Sequence, residues 1–167
     1  MKTVKILIAG YDRQLNNSVE VAILDVCYEQ AIAEFTRVAN LTEFVRQGGS
    51  AGYDLIVVTP NLLFAPGIRR EFPASIEDAI SGMEEVRSRQ NIPIFALNVF
   101  EWEEAAVCHA GADYVLGTSY SAETLKNHLR HALKIFDKPP VEAPHQWSLT
   151  TMFSRMFSRA DGELVEN

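Results

Sequence analysis

Cysteine is scarce in this chain of 167 residues. Only Cys27 and Cys108 are present, far apart and without a CxxC pair or a histidine at metal-ligand spacing. This pattern does not indicate a disulfide framework or a zinc site. We therefore expect two buried, reduced thiols in a cytoplasmic protein with no metal.

Positive charge and long apolar runs are also missing. The formal net charge of −7 at pH 7 disfavours nucleic acid as a partner, because a protein that follows the phosphate backbone needs a basic stripe. No apolar run approaches the ~18–20 residues of a spanning helix. The glycines form neither a GxGxxG motif nor a Walker loop, so no nucleotide cofactor is indicated and we expect none.

What the chain does contain is an alternation of strand-like and helix-like segments, repeated five times. Strands are predicted at residues 4–9, 32–38, 54–59, 93–97 and 114–116. Most are continuous apolar runs, which is typical of parallel strands covered on both faces. Helices are predicted at 18–30, after Asn40, after Ser75, at 102–110 and after Ser121, with these three side chains as N-caps. Asp12 is interpreted as a hydrogen-bonding partner of the first helix.

This alternation predicts an α/β fold, a sandwich of helices around a five-stranded parallel sheet with right-handed crossovers. The predicted core comprises Ile6, Ile8, Leu55, Val57, Ile94, Ala96, Val115, Leu125 and Leu129. The long connection at 61–74 contains three residues, Pro66, Gly67 and Pro73, that disfavour regular structure. We expect it to cover the carboxyl edge of the sheet or to protrude as a recognition element.

The domain is predicted to span residues 1–137, followed by a proline-containing linker at 138–146, an amphipathic helix at 147–160 and an acidic tail at 161–167. Large apolar side chains in this C-terminal helix are Trp147, Leu149, Met152, Phe153, Met156 and Phe157. A short isolated helix is marginal in water. We therefore expect the segment to support a homodimer or a complex with another protein.

Three segments resemble response-regulator receiver domains. The best match is at residues 110–125, AGADYVLGTSYSAETL. In receivers this segment has AGAD, then a short strand, then Lys-Pro-Phe, and finally a small residue and a Glu at the start of the last helix. YDLIVV at 53–58 resembles the strand that carries the phospho-accepting Asp, and PIFALN at 93–98 resembles the strand that ends in Ser or Thr. The resemblance spans roughly residues 4–136 and implies a flavodoxin-like, CheY-like, doubly wound sheet.

The resemblance also implies that the phosphorylation residues are absent. The acidic pair that holds Mg²⁺ in receivers falls on Gly10 and Tyr11, and the acceptor Asp falls on Thr59. The hydroxyl residue falls on Asn98 and the Lys on Thr118. A slip of one residue offers Asp12 as a single carboxylate. The aromatic switch residue falls on Val115, or on Tyr114 after the same slip. Magnesium needs several oxygen ligands, so we expect neither aspartyl phosphorylation nor enzymatic activity.

Two functions are therefore open. The first is phosphorylation-independent protein recognition in a bacterial signalling, motility or localisation system, through the face at 102–134 and the C-terminal helix. Its candidate contacts include Trp102, Tyr114 and Tyr120, and Trp102 is either core or an exposed anchor. The alternative is a small-ligand sensor or enzyme with a crevice lined by Thr59, Asn61, Asn98, Thr118, Ser119 and Arg69. Arg69 and Arg70 either attract an anion to that crevice or are solvated loop charges.

Overall fold

The computed structural model describes residues 1–65 and 72–134. Five parallel strands form one sheet in the order β2-β1-β3-β4-β5. In chain order the elements are β1 Lys2–Ala9, α1 Arg13–Cys27, β2 Ala31–Val38, α2 Leu41–Gly48, β3 Leu55–Val58, α3 Ile76–Arg89, β4 Ile94–Ala96, α4 Glu104–His109, β5 Tyr114–Val115 and α5 Ala122–Leu133. The predicted doubly wound, flavodoxin-like sheet is confirmed.

Helices cover both faces of the sheet. Ile6 and Ile8 point to the layer formed by α1 and α5, whereas Leu7 and Ala9 point to the layer formed by α2, α3 and α4. Successive strand residues face opposite sides, which explains why the central strands are continuously apolar. All predicted core residues are buried except Val115, which is half-buried near the sheet edge.

Polar side chains begin four of the five helices as expected. Asn40, Ser75 and Ser121 each accept the backbone N–H three residues on. Asp12 Oδ1 accepts from Gln14 N and Leu15 N, at 2.8 and 3.0 Å. The predicted start of the first helix was therefore wrong, since α1 begins at Arg13 and includes a polar first turn that shows no apolar periodicity.

The two described ends of the connection after β3 contain regular structure that the sequence does not predict. Residues Pro60–Leu62 form a 3₁₀ turn, and Phe64–Ala65 pair with Phe72–Pro73 in a small antiparallel ribbon. Leu63 between them is fully buried. The first part of the predicted surface loop is therefore core, because Leu63 packs under the layer formed by α2, α3 and α4.

Two predictions near α4 are also corrected, namely the start of this helix at residue 102 and the burial of Cys108. The helix begins at Glu104, so Trp102 lies in the turn before it, and 78% of the Trp102 surface is exposed. Cys27 is buried, but Cys108 is exposed. Cys108 follows Val107, which is the buried residue of this short helix.

Several predicted residues lie outside the described ones. They are Arg69 and Arg70 and the C-terminal candidates Trp147, Leu149, Met152, Phe153, Met156 and Phe157. The linker, the C-terminal helix and the acidic tail thus remain predictions. No helix within residues 1–65 and 72–134 has the length and apolarity needed to cross a membrane.

Candidate functional site at the carboxyl edge of the sheet

Thr59 follows β3 directly, at the position that the resemblance assigns to the phospho-acceptor. Its backbone N–H and its hydroxyl both point to the carbonyl oxygen of Ala9, at 2.9 and 3.1 Å. Only 3% of its surface is exposed. The hydroxyl is thus a buried donor that ties β3 to the end of β1.

Gly10 lies against this hydroxyl. A Cβ atom added at Gly10 would stand 2.1 Å from Thr59 Oγ1, far inside contact distance. The carbonyl oxygen of Gly10 accepts from Asn16 Nδ2 at 2.8 Å, and Asn16 is itself only 6% exposed. Any side chain at residue 10, a carboxylate included, therefore needs Thr59 to move.

The two residues after Gly10 are also engaged. The Tyr11 ring stacks on Phe64 with centroids 4.2 Å apart and an interplanar angle of 18°, and its N–H donates to Leu62 O at 2.7 Å. Asp12 uses its carboxylate as the N-cap of α1. The Tyr11–Phe64 stack thus lies next to the carboxyl end of β1. The expectation that the connection at 61–74 covers this edge or protrudes stays a prediction, since only its two ends are among the described residues.

These residues do not fit the Mg²⁺ ion that receivers bind. Magnesium takes oxygen ligands in near-octahedral geometry, with one or two carboxylates as the protein contribution. The one carboxylate here, that of Asp12, already accepts two N–H groups. Within the described ranges, no three His, Cys, Asp or Glu side chains gather in a metal-binding cluster.

Asn98 follows β4 and has a left-handed backbone, with φ of 58°. Its carbonyl oxygen accepts from Asn61 Nδ2 at 3.2 Å, and the same amide donates to Glu103 Oε2 at 2.7 Å. Glu103 Oε2 also accepts from Phe100 N at 3.1 Å. The polar side chains at this edge thus join the loops that follow β3 and β4. No local sequence pattern indicates this network, because Asn61 is about 40 residues away from its partners along the chain.

Thr118, at the position of the receiver Lys, is exposed after β5. Its uncharged hydroxyl cannot neutralise phosphoryl oxygens. Tyr114 is half-buried and meets Phe95 edge-on at 5.8 Å. Burial raises the pKa of Tyr114, with a smaller contribution from the Asp113 charge, and burial also raises the pKa of Tyr120. Both rings therefore offer much less free surface than Trp102.

A shallow depression of about 170 Å³ opens near the start of α1. It is lined by Gly10, Tyr11, Arg13, Asn16, Arg37, Val38 and Ala39. The crevice residues predicted from the sequence, Thr59, Asn61, Asn98, Thr118 and Ser119, do not line it. The Arg37 guanidinium is already paired with the Glu20 carboxylate by two N–H groups. The structure thus does not bring the predicted ligand-binding residues together at this depression.

No protein-family model matches the sequence, and no curated protein matches it. Solved structures do match in fold. The receiver domain of a Clostridium thermocellum histidine kinase has a TM-score of 0.62 and 18% identity, over 79% of this chain and 98% of that one. The receiver domain of the sensor kinase PA1611 from Pseudomonas aeruginosa, described with a magnesium ion in its active-site cleft, has a TM-score of 0.55 and 22% identity, over 79% and 98%.

A third structure comes from a Burkholderia thailandensis protein described as a pilus assembly protein, cpaE. Its TM-score is 0.56 and its identity 13%, over 78% of this chain and 98% of that one. These matches show that the chain has the fold of receiver domains over the part that they cover. At such identities the likeness extends to the fold, and function has to be argued from the site.

Proposed function

We propose that this chain is a pseudo-receiver, a receiver-fold domain that works by binding other proteins without being phosphorylated. The main support is the packing of Gly10 against Thr59. The first metal-ligand position has no room for a side chain while Thr59 is in place, since a Cβ would lie 2.1 Å from its hydroxyl oxygen. The acceptor position carries a buried hydroxyl in a backbone hydrogen bond.

The other positions support the same proposal. Asn98 and Asn61 belong to a network that fixes loops, and Thr118 offers no cation. None of these groups has a pKa suited to acid or base work near neutral pH. Side chains of this kind stabilise the loops at the sheet edge and do not catalyse a reaction, so we propose that the chain is not an enzyme.

The biological setting we propose is bacterial signalling, motility or localisation. One of the similar structures is described as a receiver domain of two-component signal transduction, and another as a pilus assembly protein. The partner is another protein. A homodimer dependent on the C-terminal helix and a cytoplasmic location belong to this proposal as well.

The competing hypothesis, a small-ligand sensor, has weaker support. The depression beside α1 is shallow, and one of its two arginines is already paired with Glu20. A thermal-shift screen with nucleotides and phospho-metabolites tests it, since a ligand that binds the folded state raises the melting temperature. We expect no rise beyond that caused by salt alone.

The direct experiment immobilises the full chain and exposes it to a lysate of its native organism, with and without Mg²⁺ and acetyl phosphate. We expect the same proteins to be retained in both conditions, because no phosphoryl group is accepted. Retention that depends on the phosphodonor would contradict the proposal. So would the absence of any specific partner together with a strong thermal shift by a small molecule.

A further inference from the structure

Two aromatic side chains form an exposed platform on the loop between β4 and α4. The rings of Phe100 and Trp102 stack with centroids 4.7 Å apart and an interplanar angle of 3°. Phe100 is 38% exposed and Trp102 is 78% exposed. We call this pair the aromatic ledge. Adjacent exposed aromatic rings are typical of interaction surfaces, because aromatic side chains bury a large area when a partner binds.

Hydrogen bonds hold the ledge in place. Glu103 N donates to Phe100 O at 2.9 Å, and Phe100 N donates back to the Glu103 carboxylate at 3.1 Å. Asn61, from the loop after β3, donates to that same carboxylate at 2.7 Å. The turn is thus closed on itself and braced from a second loop. A surface fixed before binding loses less conformational entropy when a partner arrives.

The charge around the ledge is negative. Glu101 lies between the two aromatic residues and Glu104 follows at the start of α4, and both are exposed. Neither takes part in the ion pairs formed within the described residues. Exposed carboxylates on residues so close in sequence to an exposed indole favour a planar cation, which can stack on the ring and pair with the acids.

We propose that the aromatic ledge binds an arginine-bearing segment of a partner protein, with the guanidinium stacked on Trp102 and paired with Glu101 and Glu104. This inference rests on the proposed role in protein recognition and adds the chemistry of the partner. Arginine fits better than lysine, since its flat, weakly hydrated group both stacks and donates to two carboxylates.

The test begins with selection of peptides from a displayed random library on the full chain. The strongest binder is synthesised with arginine and with citrulline, a neutral group of the same shape. Fluorescence anisotropy then measures its Kd for the wild type, Trp102→Ala and the double variant Glu101→Gln with Glu104→Gln. Tyr28→Ala and Glu84→Gln are the controls, because they remove an exposed aromatic ring and an exposed carboxylate elsewhere.

We expect arginine-containing peptides to be enriched, and citrulline or Trp102→Ala to weaken binding by about tenfold. The double glutamine variant should weaken binding less at high salt than at low salt, and the controls should leave it unchanged. Enrichment of peptides without basic residues, or binding that Trp102→Ala does not change, would refute arginine binding at the aromatic ledge. Neither result would refute the proposed role in protein recognition. If neither the library nor the lysate yields a binder, the proposed function itself fails.

Discussion

Replacing Gly10 with alanine probes the packing of Gly10 against Thr59 at the carboxyl edge of the sheet. The added Cβ would lie 2.1 Å from Thr59 Oγ1, whereas ordinary contact begins at 3.4 Å, so one atom has to move by about 1.3 Å. Gly10 has no positive φ, so the backbone itself tolerates alanine. Overpacking of this kind costs about 1–3 kcal/mol, and displacing the Thr59 hydroxyl from Ala9 O adds about 1 kcal/mol. We expect Gly10→Ala to lower the free energy of unfolding by about 2–4 kcal/mol.

A second substitution isolates the cause. With Thr59→Ala the clashing oxygen is gone, and the next atoms, Thr59 Cβ and Asn16 Oδ1, lie at 3.4 and 3.5 Å from the added Cβ. Gly10→Ala should then cost less than about 1 kcal/mol, a coupling of the kind that double-mutant cycles detect between contacting residues. Thr59→Val is the matched control, because it keeps an atom in place of the hydroxyl and should preserve the clash.

Urea unfolding of the four members of the cycle, and of the valine background, measures these differences. Equal costs of Gly10→Ala in the threonine and alanine backgrounds would refute the steric reasoning. A harmless Gly10→Ala in the wild type would show that the site has room for a side chain. A carboxylate could then also be accommodated at residue 10, contrary to the steric exclusion inferred from the packing.

Three further predictions concern the connection after β3, the C-terminus and a surface ion pair. Leu63→Ala should lower the free energy of unfolding by about 2–5 kcal/mol because Leu63 is fully buried, whereas Phe72→Ala, at a residue 60% exposed, should change it by less than about 0.5 kcal/mol. A chain ending at Asp137 should lose association in light scattering with its melt intact, whereas a melting temperature lowered by more than about 10 °C would make the C-terminal segment part of the domain's core. The hydrogen bond and charge of Lys126 hold the pKa of Asp25 below its usual range. The ion pair therefore adds to the stability of the folded state above the unfolded carboxyl pKa of about 4, and this stabilisation is lost as the pH falls through the lowered pKa. In urea titrations, Lys126→Met should lower the free energy of unfolding at pH 7 and leave it unchanged in acid. An equal loss of stability at both pH values would refute the role of the ion pair.

Much of the fold was predictable because local patterns carry it. The run Leu55–Val58 is apolar at every residue, which matches a strand between two helical layers. Three helices begin with a polar side chain that accepts a hydrogen bond from the backbone N–H three residues later in the chain, at Asn40, Ser75 and Ser121. Gly111 adopts a positive φ of 104° just after α4, as expected of a glycine that ends a helix.

The features that the sequence did not predict depend on contacts between distant residues. The polar first turn of α1 has no apolar periodicity, and the buried amide of Asn16 donates to Gly10 O, a contact that no sequence pattern indicates. The network of Asn61, Asn98 and Glu103 joins residues about 40 positions apart. The sequence predicts a surface loop at Leu63, since its burial depends on packing against helices that lie both before and after it in the chain.

The claim that this receiver fold accepts no phosphoryl group is tested most directly by amide NMR spectra of the full chain with Mg²⁺ and beryllofluoride, which imitates an aspartyl phosphate. Since Thr59 is buried and Gly10 leaves no room for a metal-binding carboxylate, we predict spectra identical to those with Mg²⁺ and fluoride alone. Mass spectra after treatment with acetyl phosphate should likewise show an unmodified mass. Shifts of the Gly10 and Thr59 amides with beryllofluoride, or an acyl-phosphate adduct, would contradict the account.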